Sequence, residues 1–211
     1  MGKNDIRLAI FDFDSTLMDG ETIDFLAKSL GVESEVSSIT KKAMEGELDF
    51  FEALNKRVKL LKGLEFSKAK EICQNLPFME GAKECITELK RRGIKVIVFS
   101  GGFHLATSYA KDILGFDGEF ANELHVKNDL LSGLVGGEMM FGYSKGVMLK
   151  KLQDILHVKK EQTISIGDGA NDISMFAHSA FRVSFCGKKA LEERANIIIR
   201  EKDLRQILEH I

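Results

Sequence analysis

Asp12 and Asp14 stand two residues apart in Phe11-Asp12-Phe13-Asp14-Ser15-Thr16-Leu17, directly after Leu8-Ala9-Ile10, an apolar run with the character of a buried strand. Two carboxylates at the end of such a strand border a low-dielectric core and repel each other. A positive partner has to sustain them, most simply a metal ion. This segment is the strongest pointer to chemistry in the chain.

Other strand ends carry matching groups. Val96-Ile97-Val98-Phe99 runs into Ser100-Gly101-Gly102 and then a helix pattern. Backbone N–H groups there would suit an anion, although a tight turn with an N-cap serine explains the same residues. A third run leads into Gly167-Asp168-Gly169-Ala170-Asn171-Asp172. Helix capping accounts for one of those two aspartates but not both. Asp172 occupies the third glycine position of a dinucleotide fingerprint, and Asp168 would repel a pyrophosphate. Thr16 and Leu17 likewise rule out an EF-hand, and no HExxH, GxSxG or P-loop occurs. The five histidines are scattered. Lys145 opens a helix after Gly142-Tyr143-Ser144; it is either a solvated lysine or the cation that offsets the aspartates. Hard oxygen ligands suit Mg²⁺ rather than zinc. With Lys145 and amide donors, Mg²⁺ would cradle a phosphoryl group, and a carboxylate would attack phosphorus through an acyl-phosphate.

The elements that must position these groups follow from periodicity. Continuous apolar runs at 6–11, 94–99, 163–166, 181–185 and 196–199 have the pattern of strands covered on both faces. Helical spacing fills 82–92, 105–114, 145–156 and 173–178, with a final helix from Asp203. This alternation predicts an α/β fold with a doubly wound parallel sheet, whose ligands bind at the strands' carboxyl ends. Two segments interrupt it. Residues 18–74 hold no strand but four amphipathic helices, near 22–30, 35–44, 47–62 and 67–75, and so form a helical cap inserted after the first strand. Residues 119–139 read as a small β-hairpin turning at Asn128-Asp129. The α/β core is therefore 1–17 and 75–211. Gly20, Gly63 and Pro77 are candidate hinges. On the 47–62 helix, Leu48, Phe51, Leu54, Val58 and Leu61 make one apolar stripe, with Phe50 and Arg57 stacked on its flank.

Composition bounds the function class. The 211 residues are 44% apolar and 29% charged with a net charge of −2, a globular balance without the basic field that would recruit nucleic acid or anionic lipid. Cys73, Cys85 and Cys186 form no CxxC and cannot all pair. With no secretory leader and no apolar run of membrane-spanning length, reduced thiols and a cytoplasmic location are expected, with no membrane and no nucleic acid as partner. Monomer and homodimer both stay open.

In order along the chain, Asp12 to Leu17, Ser100, Lys145 and Gly167 to Asp172 resemble the four motifs of the haloacid dehalogenase-type phosphotransferases, whose core is a Rossmann-like sheet. That resemblance implies that Asp12 is the phosphorylated nucleophile. Asp14 would protonate the leaving oxygen and then activate water, Ser100 and the Gly101 amide would hold phosphate, and Lys145 would steady Asp12 and the phosphoryl group. The Asp12 carboxylate, the Asp14 carbonyl and Asp168 would ligate Mg²⁺, with Asp172 close behind. An aspartate at position 14 with Thr16 after it favours phosphatase over dehalogenase chemistry.

The insertion, with Glu21-Thr22-Ile23-Asp24, Met44-Glu45-Gly46, Arg57-Val58 and Ser100-Gly101-Gly102-Phe103, resembles the phosphoserine phosphatase family. By that resemblance Glu21 faces the substrate ammonium and Arg57 its carboxylate, Met44 and Phe50 close over the ligand, and Asn171 belongs to the substrate site. The implied reaction is Mg²⁺-dependent hydrolysis of O-phospho-L-serine to serine and phosphate, the last step of serine biosynthesis. Alternatives are another small phosphomonoester, such as phosphoethanolamine or phosphohomoserine, or a non-catalytic phosphometabolite-binding module. Gly187-Lys188-Lys189 departs from the Ala-Lys-Pro common in the family, and feedback through an appended amino-acid-binding domain is not expected.

Overall fold

The computed structural model describes residues 5–44 and 46–211, apart from the side chain of Met44. Its centre is β1 (Leu8–Asp12), buried along its whole length. Because side chains alternate along a strand, Leu8 and Ile10 enter one apolar layer with Ile97, Phe99, Leu149 and Met175. Ala9 and Phe11 enter the opposite one with Val96, Val98 and Ala106. A strand covered on both faces has to be apolar throughout until it reaches the edge, and Asp12 is where it does.

Around β1 are β2 (Lys95–Phe103), β3 (Gly118–Lys127), β4 (Leu130–Gly137), β5 (Thr163–Gly167), β6 (Phe181–Phe185) and β7 (Ile197–Ile199). The strand order is β4-β3-β2-β1-β5-β6-β7, parallel except for the β3–β4 pair. The chain leaves β1 for β2 on one side and later returns to β5 on the other. That reversal opens a crevice at the carboxyl ends of β1 and its neighbours. Register finishes the alignment: Asp12 pairs with Phe99 and Phe11 with Ile166, so Ser100 and Asp168 follow at the same edge as Asp12.

Helices α1 (Thr22–Lys28), α2 (Glu33–Met44), α3 (Phe50–Leu60) and α4 (Phe66–Gln74) lie between β1 and the return to the sheet. Then follow α5 (Ala82–Arg91), α6 (His104–Leu114), α7 (Ser144–Leu156), α8 (Ile173–Phe176) and α9 (Lys189–Glu192). The two passages between sheet and insertion run side by side. Asp19 N–H bonds to Pro77 O at 2.9 Å and Met79 N–H to Leu17 O at 2.9 Å.

Several expectations are corrected. α3 starts at Phe50, not 47, because the Asp49 side chain accepts Glu52 N–H at 2.8 Å and caps the helix there. Leu54, Val58 and Leu61 of its stripe are buried, but Leu48 precedes the helix and Phe51 is 40% exposed. Gly63 lies at neither passage: its N–H bonds to Leu131 O at 2.9 Å, fixing the α3–α4 connection to β4. The hairpin turns at Asn128 and Asp129, both at positive φ (51° and 61°) as a tight two-residue turn requires. As expected, it belongs to the α/β core, where it forms one edge of the main sheet because β3 also pairs with β2. The last helix, Leu204–His210, is 3₁₀ and is capped by Asp203. The three cysteines are free thiols. Among the described residues no helix is long and apolar enough to cross a membrane.

Candidate active site

Beyond β1 the backbone curls at once. The N–H groups of Thr16, Leu17 and Met18 all point to Phe13 O, at 3.2, 2.9 and 2.9 Å, with Ser15 held at a φ of 56°. This turn leaves Asp12 at the strand end and swings Asp14 toward α1. Asp14 Oδ1 accepts Thr22 N–H at 2.7 Å and the Thr22 hydroxyl at 2.6 Å. Ser15 donates its hydroxyl to Glu21 Oε1 at 2.9 Å. Thr22 is a site residue missed in the sequence reading; its one signal was a hydroxyl beside Glu21 at the start of a helix.

Asp12 is 3% exposed. Its Oδ1 accepts Phe13 N–H at 2.7 Å and lies 2.6 Å from Lys145 Nζ, while no donor among the described residues reaches Oδ2. Lys145, also 3% exposed, is not a solvated lysine: the same Nζ is 2.6 Å from Asp172 Oδ1. Glycines permit this arrangement. A β-carbon on Gly146 would fall 2.6 Å from Ser174 O, so only glycine lets α7 pack closely enough to bring Lys145 onto Asp172. A β-carbon on Gly167 would fall 2.3 Å from Asp172 Oδ2, the atom that accepts Asp168 N–H and Gly169 N–H at 3.0 Å each.

Asp12, Asp168 and Asp172 each offer a carboxylate oxygen, all within 4.8 Å of one another. The Asp14 carboxylate stands outside this cluster but still on the cavity, its Oδ1 held by Thr22 and its Oδ2 3.5 Å from the Ser100 hydroxyl, which leaves its main-chain carbonyl as a possible ligand. Asp172 is committed on both oxygens, whereas the Asp168 carboxylate takes no hydrogen bond from any described residue. Burial first, then the neighbouring Asp172, raises Asp12 well above the usual carboxylate range despite Lys145. The same two causes push Asp168 up to about 6. Burial works against the Lys145 ammonium, but Asp12 and Asp172 outweigh it and raise Lys145 above its ordinary value. One ammonium among three carboxylates leaves an excess of negative charge that an oxygen-seeking divalent cation fits.

On the other flank, Ser100 is fully buried, and its Oγ accepts Gly102 N–H at 2.9 Å. β2 continues through Phe103, which takes the N-cap position of α6, so the capping explanation for Ser100 fails. A β-carbon on Gly102 would stand 2.6 Å from Asp14 Oδ2 and 3.1 Å from Ser100 Oγ. Gly102→Ala is therefore expected to displace Asp14 and lower kcat/KM about 10²-fold, while thermal melting moves little because the backbone there is extended. Steady-state kinetics beside a melting curve checks this.

A cavity of about 230 Å³ opens over these groups, lined by Asp12, Asp14, Glu21, Phe50, Arg57, Gly101, Asp168 and Asn171, with Ile23, Thr40, Leu54 and Lys188 beside them. Ser100, Lys145 and Asp172 stand behind its wall, and the Met44 side chain falls outside what is described. Phe50 lies on Gly101, its Cζ 2.8 Å from where a β-carbon would be. Burial raises Asp14, with Thr22 opposing. Burial, then Asp14 and Asp168, push Glu21 up to about 8. Among the described residues Arg57 donates Nε–H to Ala53 O of its own helix, at 3.3 Å, and no carboxylate makes an ion pair with it; burial lowers it, and Glu21, Asp14 and Asp24 oppose that from farther off. Lys188 sits where its charge counters the upward push on Glu21 and Asp168, and its N–H bonds to Asp168 O at 2.8 Å. Its position just past β6, at the crevice edge, was the signal available.

This constellation can bind a divalent cation, present a bare carboxylate oxygen to an electrophile and hold a proton on a second carboxyl. The sequence profile of the haloacid dehalogenase-like hydrolases matches residues 6–179. Phosphoserine phosphatase of Wolinella succinogenes is 61% identical over 206 residues, 98% of this chain and 100% of that protein. The chain belongs to the haloacid dehalogenase-like hydrolases, in the phosphoserine phosphatase family. The phosphoserine phosphatase of Methanocaldococcus jannaschii is 48% identical, with 97% of each chain covered. Among solved structures, a phospho-aspartyl intermediate analogue of phosphoserine phosphatase superimposes on this hydrolase with a TM-score of 0.93 at 48% identity, covering 98% of this chain and 99% of that one. A substrate-bound phosphoserine phosphatase complex gives 0.93 at 47% identity over the whole of both chains.

Proposed function

We infer that this hydrolase converts O-phospho-L-serine to L-serine and phosphate through an aspartyl-phosphate on Asp12. The observation that carries the substrate is Arg57: a partly buried guanidinium with no carboxylate in ion-pair contact among the described residues, in the same small cavity as the candidate nucleophile and Glu21, whose charge reaches it from farther off. At about 230 Å³ the cavity is below the roughly 300–1,000 Å³ of sites for drug-sized ligands. A compact metabolite bearing carboxylate, ammonium and phosphate would satisfy Arg57, Glu21 and the Asp12 end together.

Asp12 Oδ2 attacks phosphorus while the bond from phosphorus to the serine oxygen breaks. Oδ1 stays fixed by Lys145 and Phe13 N–H, so only Oδ2 is available. Asp14, raised by burial, holds a proton on Oδ2 because both Thr22 donors occupy Oδ1; it gives that proton to the departing serine oxygen. The same oxygen then takes a proton from water as water attacks the aspartyl-phosphate, releasing phosphate and restoring Asp12. Ser100 and the Gly101 amide steady the phosphoryl oxygens, and Asn171 borders the same group. The residues that fit Mg²⁺ are Asp12, Asp168 and the Asp14 carbonyl, with Asp172 behind. When bound, the ion supplies the positive charge that keeps Asp12 ionised and neutralises phosphoryl oxygens.

Phosphate release from purified protein with Mg²⁺ tests the reading. Phosphoserine should be turned over far better than phosphoethanolamine, which leaves Arg57 unpaired. Ca²⁺, with its larger and looser shell, should replace Mg²⁺ poorly. Equal rates on both substrates would overturn the specificity, and no release from any phosphomonoester would favour a binding module.

Metal dependence also has a pH signature. A carboxyl raised in the folded state contributes stability that is fully present below its unfolded pKa and is lost as pH rises through its folded pKa. For Asp168 that window runs from 3.8 to about 6, and for Glu21 from 4.5 to about 8. For Asp168 alone the loss is at most about 3 kcal/mol, less whatever solvent screens. Mg²⁺ should therefore raise Tm by several degrees at pH 7.5 and hardly at all at pH 4.5, where protons already neutralise the cluster. Calorimetry at both pH values checks this; equal shifts would contradict it.

A further inference from the structure

Three aromatic rings that no step above uses form a ladder on the surface. Phe51 stacks on Phe141 with centroids 5.2 Å apart and planes at 10°; Phe141 stacks on Tyr143 at 5.3 Å and 6°. All three are exposed, at 40%, 43% and 61%, so they are not core packing. The ladder joins two parts of the chain that matter to the site. Phe51 comes from the first turn of α3, and Phe141 and Tyr143 from the loop directly before Lys145. In the same turn, the neighbouring Phe50 covers Gly101 and comes close to Gly142, between Phe141 and Tyr143.

The two ends of α3 are held differently. Beyond its C-terminus, three backbone hydrogen bonds fasten the chain to the hairpin: Gly63 N–H to Leu131 O at 2.9 Å, Leu131 N–H to Leu64 O at 2.8 Å, and Phe66 N–H to Asp129 O at 2.8 Å. No such backbone bond between its first turn and the Lys145 loop occurs among the described residues. Toward the Lys145 loop, the end of α3 that covers the phosphate side of the cavity is thus held by ring contacts rather than by backbone bonds.

We propose that Phe51, Phe141 and Tyr143 are a clasp: their stacking holds the first turn of α3 down over the cavity, making them positioning residues that act through Phe50 and Arg57. The proposal rests on the phosphatase reading for its kinetic consequence, but not for the clasp itself. Substrate has to enter with the first turn of α3 raised and react with it lowered. Loosening the clasp then weakens the productive complex without touching a reacting group.

The test uses Phe51→Leu, Phe141→Leu and the double variant in the full chain, with phosphoserine and Mg²⁺. Loss of one stacked pair should raise KM about two- to tenfold. kcat should stay within about twofold or rise, because raising the lid also speeds release. The double variant should be no worse than the worse single one, since the shared contact is already gone. An unchanged KM, a fall in kcat at constant KM, or losses that multiply in the double variant would each overturn the clasp. Hydrogen exchange of the α3 first-turn amides, measured without substrate, should speed up by a similar factor in Phe141→Leu, and unchanged exchange would also overturn it. If wild-type protein releases no phosphate, the phosphatase reading fails and this exchange measurement still decides the clasp.

Discussion

Asp12→Asn is expected to lower kcat at least about 10⁴-fold, the scale of losing a covalent nucleophile that works as one unit with its neighbours. The substitution is nearly isosteric, and its carbonyl oxygen can still accept Phe13 N–H and Lys145 in place of Oδ1. What disappears is the bare Oδ2 anion, the atom that no described donor reaches. Stability should not fall with activity. Asp12 is a buried carboxylate raised by burial and by Asp172, so replacing it with a neutral amide relieves repulsion. The expected result is a dead enzyme whose Tm equals or exceeds that of the wild type. Turnover within tenfold of normal would mean that water, not Asp12, attacks phosphorus.

Arg57→Met should separate binding of the substrate carboxylate from the phosphoryl chemistry. With phosphoserine, kcat/KM should fall about 10²–10³-fold, the range for removing one partner of a desolvated charge pair. With phosphoethanolamine the same substitution should change little, because that substrate offers nothing for the guanidinium to hold. The substitution keeps a long apolar stem against Leu54, so the cavity wall survives. Arg57→Lys should rescue only part of the loss, as an ammonium cannot reproduce a planar fork. Equal losses on both substrates would assign Arg57 to phosphate rather than carboxylate.

The contrast between these two residues bears on what the sequence disclosed. The Asp12 end was legible because burial of carboxylates at a strand end has few physical explanations, and because parallel strands bring their carboxyl ends to one edge whatever the loops do. Asp12, Ser100 and Asp168 follow from register alone, and the apolar runs marked the strands to within a few residues. The exact role of Asp14 was less legible. Its separation from the other three carboxylates depends on a turn with Ser15 at positive φ and on two donors from Thr22, neither of which has a periodicity.

α3 illustrates another limit. Its apolar stripe correctly identified Leu54, Val58 and Leu61 as core, yet the same spacing placed Phe51 there too. The ring instead finds its partner, Phe141, some ninety residues away in a loop, a contact no local pattern encodes. Gly63 looked like a hinge because glycine frees the backbone, but an edge strand that needed hydrogen-bond partners captured it. Lys188 reached the cavity through the loop after β6, and only the strand order makes that loop a neighbour of Asp168.

In the inferred reaction phosphorus passes to one particular side chain, the Asp12 carboxylate, before it reaches water. Rapid acid quench of a single turnover with phosphoserine and Mg²⁺, followed by peptide mass spectrometry, tests it most directly. A transient phosphoryl group is expected on the peptide that carries Asp12, absent from Asp12→Asn and forming more slowly in Asp14→Asn, which lacks the proton donor for the serine oxygen. Phosphate formed in the first turnover with no phosphorylated peptide at any quench time, or a phosphoryl group on another residue, would contradict it.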